Sequence, residues 1–567
     1  MFRCKAHLIL CLLLLIHILL VGYGAAVCSP TVNEPGHLVA GLSHWEFGRF
    51  ELYRVNPPLV RSVAALPVMA VGYEPDWDGF YESPGARPVF QMGKEFVQAN
   101  GPRSAFLFTI ARWACLPFGI VGMLTCFVWA RDISGVRAGL LAAAFWSFSP
   151  SIIGSAHFIT ADAHASALGV LACFFFWKWL RNPTWRNVVI SGLLLGAAEL
   201  TKSTLIVFYP IWPFIWLIYR VIERRLLCRV IWTTEMPMLV VRMAIGLYVL
   251  NLGYAFEGSG QRLGEFEFVS RLFAGEKESP NEPSNRFRGT VLEKLPVPFP
   301  KNFLLGIDIQ QRDFENLGKP SYLRGRFQDH GWWYYYLYVV MVKVPVGLLL
   351  LGTLAAVRVP WMRDIRKDVV VLAIIPAVIF IVVSSKTGFS QHARYILPCF
   401  PFTFILISVV LVHAKLDRLL KRVVAVCLSW LIASCVMTYP HTLSYFNEFS
   451  GGPFNGPQHL LNSNVDWGQD LFFVQRWLKK HPDKNSIALA YYGYFSPQDV
   501  GFHGVTPVTA DSETIAISVN LFYGYPATAR DGSEEPSYRV QPLPFDPKDY
   551  EISHAGYSML ILERKKL

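Results

Sequence analysis

Five short stretches of the sequence carry side chains able to move a proton or hold an anion. In CSPTVNEPGHLVAGLSHWEFGRF, Pro35 suits the first position of a helix, so a helix is expected to start beside Asn33 and Glu34. Glu34 and His37 then share one face. Either Asn33 caps that helix and Glu34 complements its dipole, or Glu34 is a general base or metal ligand with His37 as its partner. In SAHFITADAHASAL, Thr160 is placed to cap a helix with Asp162 in its first turn and His164 beside it. A carboxylate so close to hydrocarbon is costly unless solvated, paired or coordinated, which makes Asp162 a marker of a substrate path as well as a plain helix start. Lys202, in AELTKSTLIVF, interrupts an apolar run and either snorkels to the interface or meets an anion. SSKTGFSQHARYILPCFPF sets Lys386, His392 and Arg394 at the end of another apolar run, and the planar fork of Arg suits a phosphate. In YFNEFSGGPFNGPQHLLNSNVDWGQDL, Asp466 and Asp470 are spaced to share a helical face, with Ser463 and Asn464 as caps.

The elements that must position these groups are mostly membrane spans. The chain has 567 residues, 53% of them hydrophobic and only 16% charged, against roughly 25% charged in an ordinary soluble domain. That excludes a disordered chain and argues against a soluble enzyme. The apolar residues come in blocks long enough for a hydrocarbon layer of about 30 Å. The first runs from His7 to Val27 and is read as an uncleaved span. Others follow at about 105–130, 138–153, 164–180, 187–200, 203–219, 237–256, 334–357, 369–385, 395–413 and 423–440. The expected fold is therefore a mainly α-helical polytopic membrane protein of about eleven spans.

Lys and Arg concentrate in alternate short loops, as at Arg220–Arg229 and Arg358–Lys367, which predicts a cytoplasmic N-terminus. The net charge of +11 follows from these loops, and no basic tract with interleaved aromatics suggests nucleic acid. Residues 1–440 are expected to form the membrane domain, with large outer loops at about 28–104 and 257–333. Residues 441–567 read as a small α+β domain outside the cytoplasm. Ten cysteines without a CxxC pair support neither a disulfide framework nor a zinc knuckle. No Walker or kinase-type loop is present, so a substrate activated beforehand and presented on the outer face fits better than ATP-driven chemistry.

Several segments together resemble the multi-pass GT-C glycosyltransferases, in the bacterial branch related to protein O-mannosyltransferases and lipid A aminoarabinose transferases. The carriers are TVNEPGHLVAG, NPPL, ARWACLPFGIVGML, WARDISGVRAGLLAAAFWSFSPSIIGSAHFITADA, ELTK and HARYILPCFP, over about residues 28–415. The resemblance implies a polyprenyl-phosphate sugar donor and transfer with inversion on the outer face of the cytoplasmic membrane. It implies catalytic carboxylates at Glu34 and Asp162, and a donor phosphate held by Arg394, Lys202 and Arg112, with Tyr395 and His392 beside them. Some relatives use a divalent metal, for which Glu34, His37 and His164 are candidate ligands. One departure stands out: the family pattern has Asp–Glu where this chain has Asn33–Glu34, and Asn cannot take a proton, so either Glu34 takes the base role, or another carboxylate such as Asp162 does, or this member is impaired. The acceptor implied is a protein, a lipid or another glycan. Two other classes fit the topology, a lipid-linked sugar flippase and a non-catalytic envelope scaffold.

Overall fold

The computed structural model of the protein describes residues 2–276, 282–315, 320–385, 388–413, 417–484, 486–529, 537–539 and 542–565. Lys386, one of the expected cations, lies outside the described residues. Among those described, eight helices are long and apolar enough to cross a membrane, and ten spans result if each of two bent pairs counts as one. The sequence-based expectation is about eleven. The apolar stretch over 334–357 does not run straight: Tyr335–Lys343 and Val346–Trp361 meet at 116°. Pro345 between them has no N–H to continue the helix and pushes the preceding Val344 into an extended conformation. A second bend of 58° separates Val136–Ser147 from Pro150–Ala156. There Ser149 caps the new helix by accepting from the Ile152 N–H.

Helix Trp185–Glu199 is shorter than a full span and lies hard against Met236–Gly253. Gly192 and Gly196 make this possible. A Cβ at Gly196 would come within 2.5 Å of the Gly246 carbonyl oxygen, and one at Gly192 within 2.8 Å of the Arg242 carbonyl oxygen. Small residues four apart let two backbones touch in this way.

At the loop-bearing end of the bundle lie helices Glu34–Phe47, Leu59–Val71 and Val89–Asn100 and a C-terminal sheet. The Pro57–Pro58 pair leads directly into the second of these helices. The sheet runs in the order Val505–Thr506, Ile487–Ala490, Thr514–Ser518, Met559–Arg564, Tyr550–His554. Its first two pairings are parallel and its last two antiparallel. Side chains alternate across a strand, and here both faces are covered. Ala516, Met559 and Ile561 join a core with Leu38, Val60 and Phe96 of the first loop. Ile515, Ile517, Leu560 and Leu562 join another with Tyr335, Ile396 and Phe446. The sheet is thus wedged between the first loop and the ends of two spans.

Candidate active site

Glu34 opens its helix as expected, with Pro35 behind it, but Asn33 makes no side-chain cap. The Glu34 carboxylate is completely buried. Arg112 grips it with two hydrogen bonds, Nε to Oε1 at 2.8 Å and Nη2 to Oε2 at 2.6 Å. Three more donors fill its remaining lone pairs: the backbone N–H and hydroxyl of Thr31 on Oε2, and the Ile159 N–H on Oε1. Arg112 is equally spent, because its other N–H groups bind the carbonyls of Ala25, Cys28 and Ser29. Each partner uses its full hydrogen-bonding capacity inside the protein. In this arrangement every lone pair of Glu34 and every N–H of Arg112 already has a partner within the protein. The pair ties the first loop to helix Ser104–Ala114 and to the Ile159 turn.

The second carboxylate is different. Thr160 gives no side-chain cap, so Asp162 stands in the first turn of Ala161–Arg181 with its oxygens free for other partners. Lys202 reaches it at 2.5 Å and Arg394 Nε at 3.4 Å. All three side chains are largely buried, at 7%, 7% and 14% exposure. Lys202 breaks off the helix before it and is extended, and that is how a cation within an apolar run comes to face a carboxylate rather than lipid. Tyr395 lies beneath both cations, its ring 5.1 Å from Lys202 Nζ and 5.9 Å from the Arg394 guanidinium carbon. Trp467 stacks on the other side of Arg394 at 4.1 Å. Such π faces hold a desolvated cation without neutralising it. His392 packs edge-on to Tyr395 and shares the Ser463 hydroxyl with Arg394 Nη1. His37, across from them, feels Asp162 and Arg394; burial first, and then Arg61, hold its imidazole down at about 3, so it is neutral at physiological pH. Asp162, Lys202, Arg394, Tyr395, His392 and His37 are therefore gathered at one place, while Glu34 and Arg112 form a separate closed pair.

A narrow cleft leads to Arg394, walled by Val339, Val344, Ile396, Leu397 and Phe400 and edged by Ser151, Ser155, Thr442 and Asn464. Lys343 lines it as a second cation, with Nζ bonded to the carbonyls of Leu443 and Asn464. Sequence reading singled out neither Lys343 nor Trp467. The signal for Lys343 was a lone charge in YVVMVKVP, the same kind of signal that singled out Lys202. Ser463 and Asn464 are not helix caps, since the following helix begins only at Leu471. Nor do Asp466 and Asp470 share a helical face, because both precede that helix.

Two of the candidate metal ligands, Glu34 and His164, have partners inside the protein. Glu34 is consumed by Arg112, and His164 bonds the Phe158 carbonyl through Nε2. Among the described residues no three His, Cys, Asp or Glu side chains converge on a point that could hold an ion.

The family described as dolichyl-phosphate-mannose-protein mannosyltransferase matches residues 106–249. No curated protein sequence matches the chain. Among solved structures, the chain is similar to ArnT from Cupriavidus metallidurans bound to undecaprenyl phosphate, at 13% identity and a TM-score of 0.48, over 97% of each chain. It is also similar to the Archaeoglobus fulgidus oligosaccharyltransferase in the apo form, at 13% identity and a TM-score of 0.43, over 88% of this chain and 64% of that one. The segment similar to the mannosyltransferase family is the one that contributes Arg112, Asp162 and Lys202.

Proposed function

We propose that the protein transfers a sugar from a polyprenyl-phosphate donor to an acceptor on the outer face of the cytoplasmic membrane. The carrying observation is the buried Asp162–Lys202–Arg394 cluster, whose Arg394 also lines an apolar cleft. The similarity of residues 106–249 to a family named for a dolichyl-phosphate-linked donor supports the same reading.

The chemistry follows from charge. With no donor bound, Asp162 is the counter-ion that keeps Lys202 and Arg394 side by side in a site of low dielectric. A phosphate entering along the cleft takes up the two cations, Arg394 by paired N–H donors and Lys202 as a point charge. This loosens their hold on Asp162, which then accepts the proton of an acceptor hydroxyl. The acceptor oxygen bonds to the anomeric carbon as the sugar–phosphate bond breaks, and the bonding electrons leave with the lipid phosphate. A single displacement of this kind inverts the anomeric centre. No step is routed through a metal. Base assistance of this type contributes about 10²–10⁴ in rate.

The test is reconstitution in proteoliposomes with a polyprenyl-phosphate sugar, followed by mass analysis of the products. Wild type is expected to form a glycosylated product, and Asp162→Asn to form it at least about 10²-fold more slowly. Unchanged transfer by Asp162→Asn would overturn the assignment of the base. Movement of the lipid-linked sugar across the bilayer with no covalent product would favour a flippase instead.

A further inference from the structure

The segment from Asn462 to Asp470 touches three parts of the molecule at once. Toward the candidate site, the Ser463 hydroxyl lies against Arg394 Nη1 and 2.9 Å from His392 Nδ1, and Trp467 covers the guanidinium face. The Asn464 side chain accepts from the Ala393 N–H at 2.7 Å and donates to the Gln391 carbonyl at 2.7 Å, which fixes the backbone just before Arg394. Toward the C-terminal sheet, the Asn462 N–H donates to the Asn520 side chain at 2.8 Å, and Asn520 donates in turn to the Asp466 carbonyl at 2.9 Å. The Asp466 carboxylate accepts from the Ser518 hydroxyl and from the Gly468 N–H. Asn462 itself sits at φ 59°, a left-handed conformation that Asn tolerates better than most side chains. Its partners here are Asn520 and Tyr525, the latter accepting from the Asn462 amide at 2.6 Å.

Resting on the reading of Arg394 as a phosphate-binding residue, we infer that Ser463 is a positioning residue for that cation and that residues 518–525 of the C-terminal sheet region set its place through Asn462 and Asp466. The physical reason is rotamer freedom. An Arg side chain beside an apolar cleft has many conformations, and ordering it on ligand binding lowers affinity. Four contacts fix the guanidinium before the ligand arrives: Asp162 on Nε, Ser463 on Nη1, and the rings of Tyr395 and Trp467. Asp162 and Tyr395 belong to the membrane segments. The other two come from the loop that the C-terminal region holds. The C-terminal sheet thus supplies part of the anion site without touching the anion.

The test measures the affinity of the purified full-length chain in detergent micelles for a polyprenyl monophosphate, with the thermal unfolding midpoint as a folding control. Ser463→Ala removes a hydrogen bond to a charged group and is expected to weaken binding about ten- to a hundredfold at an unchanged midpoint. Ser463→Thr keeps the hydroxyl and is expected to bind within about threefold of wild type. Asn520→Ala is expected to weaken binding at a distance, and in transfer assays both weakening variants raise KM for the donor more than they lower kcat. Wild-type affinity in Ser463→Ala and Asn520→Ala would overturn the inference while leaving the function standing. Affinity loss that tracks a fallen midpoint and is not restored by Thr would overturn it in favour of a merely structural role. Binding by wild type with no sugar transfer would sink the proposed function but not the positioning role. Failure of wild type to bind the lipid would overturn both.

Discussion

Replacement of Glu34 by Gln separates a structural from a catalytic role for this carboxylate. Glu34 accepts five hydrogen bonds from Arg112, Thr31 and Ile159, and among the described residues Arg112 has no other anionic partner. A Gln side chain has nearly the same shape but carries an NH2 where one carboxylate oxygen stood. That NH2 must face donors, either Thr31 and Arg112 Nη2 or Ile159 and Arg112 Nε. The buried guanidinium also loses its counter-ion. Breaking one side of a buried pair costs about 3–5 kcal/mol, a large part of the roughly 5–15 kcal/mol that holds a domain folded. Glu34→Gln should therefore give a markedly lower unfolding midpoint and a lower yield of folded protein. Transfer per folded molecule should stay within about tenfold of wild type, since Glu34 touches none of Asp162, Lys202 and Arg394. Glu34→Gln with Arg112→Gln should be less damaging than the sum of the two, because both charges leave together. The assay is thermal unfolding in detergent, paired with transfer normalised to monodisperse protein. A Glu34→Gln protein that melts like wild type yet transfers 10²-fold more slowly would refute the structural account and make Glu34 the base.

Other substitutions probe the remaining parts. Arg394→Gln, with folding retained, should raise KM for the lipid-linked donor by at least about tenfold, as expected for loss of a charged hydrogen-bonding partner, and donor titrations read this directly. Burial raises the Asp466 carboxyl from 3.8 to about 7 against the opposing help of Ser518 and Gly468, with Asp470 adding to the rise. A group whose folded-state pKa is raised stabilises fully below its unfolded value, so the contribution of Asp466 should be whole below pH 3.8 and lost progressively up to about pH 7. Asp466→Asn should flatten that slope in a series of unfolding midpoints measured between pH 4 and 7. Gly196→Leu, which forces a Cβ to within 2.5 Å of the Gly246 carbonyl oxygen, should push Trp185–Glu199 away from Met236–Gly253 and lower the unfolding midpoint, the cost of overpacking being at least about 1–3 kcal/mol.

Charge within apolar surroundings was the most legible signal in the sequence. Asp162, Lys202 and Arg394 are separated by 40 and more positions, yet each stood out because burying it alone would be expensive, and the structure brings the three together. The same argument applied to Lys343, which closes a bond to the Asn464 carbonyl 121 positions away. The role of Glu34 was not legible. Its partner lies 78 positions downstream on another helix, and no local spacing encodes such a pairing. Ser463 and Asn464 were misread for a related reason: short polar residues before an apolar run look alike whether they cap a helix or serve a distant side chain. The bends are a different case. Pro345 and Pro150 were visible in their apolar runs, and a proline there breaks the helix whatever surrounds it.

The contacts that join the beginning of the chain to its end have a consequence for biogenesis. The Ser29 hydroxyl donates to the Gly468 carbonyl across 439 positions, and Ser29 also receives the Leu471 N–H. Contacts so remote in sequence form late, after the entropy of closing a very long loop has been met. A ribosome-bound chain that has inserted every span but not yet released its last 110 or so residues lacks the loop that contacts Arg394. A product terminated before that loop stays without the Ser463 and Trp467 contacts to Arg394.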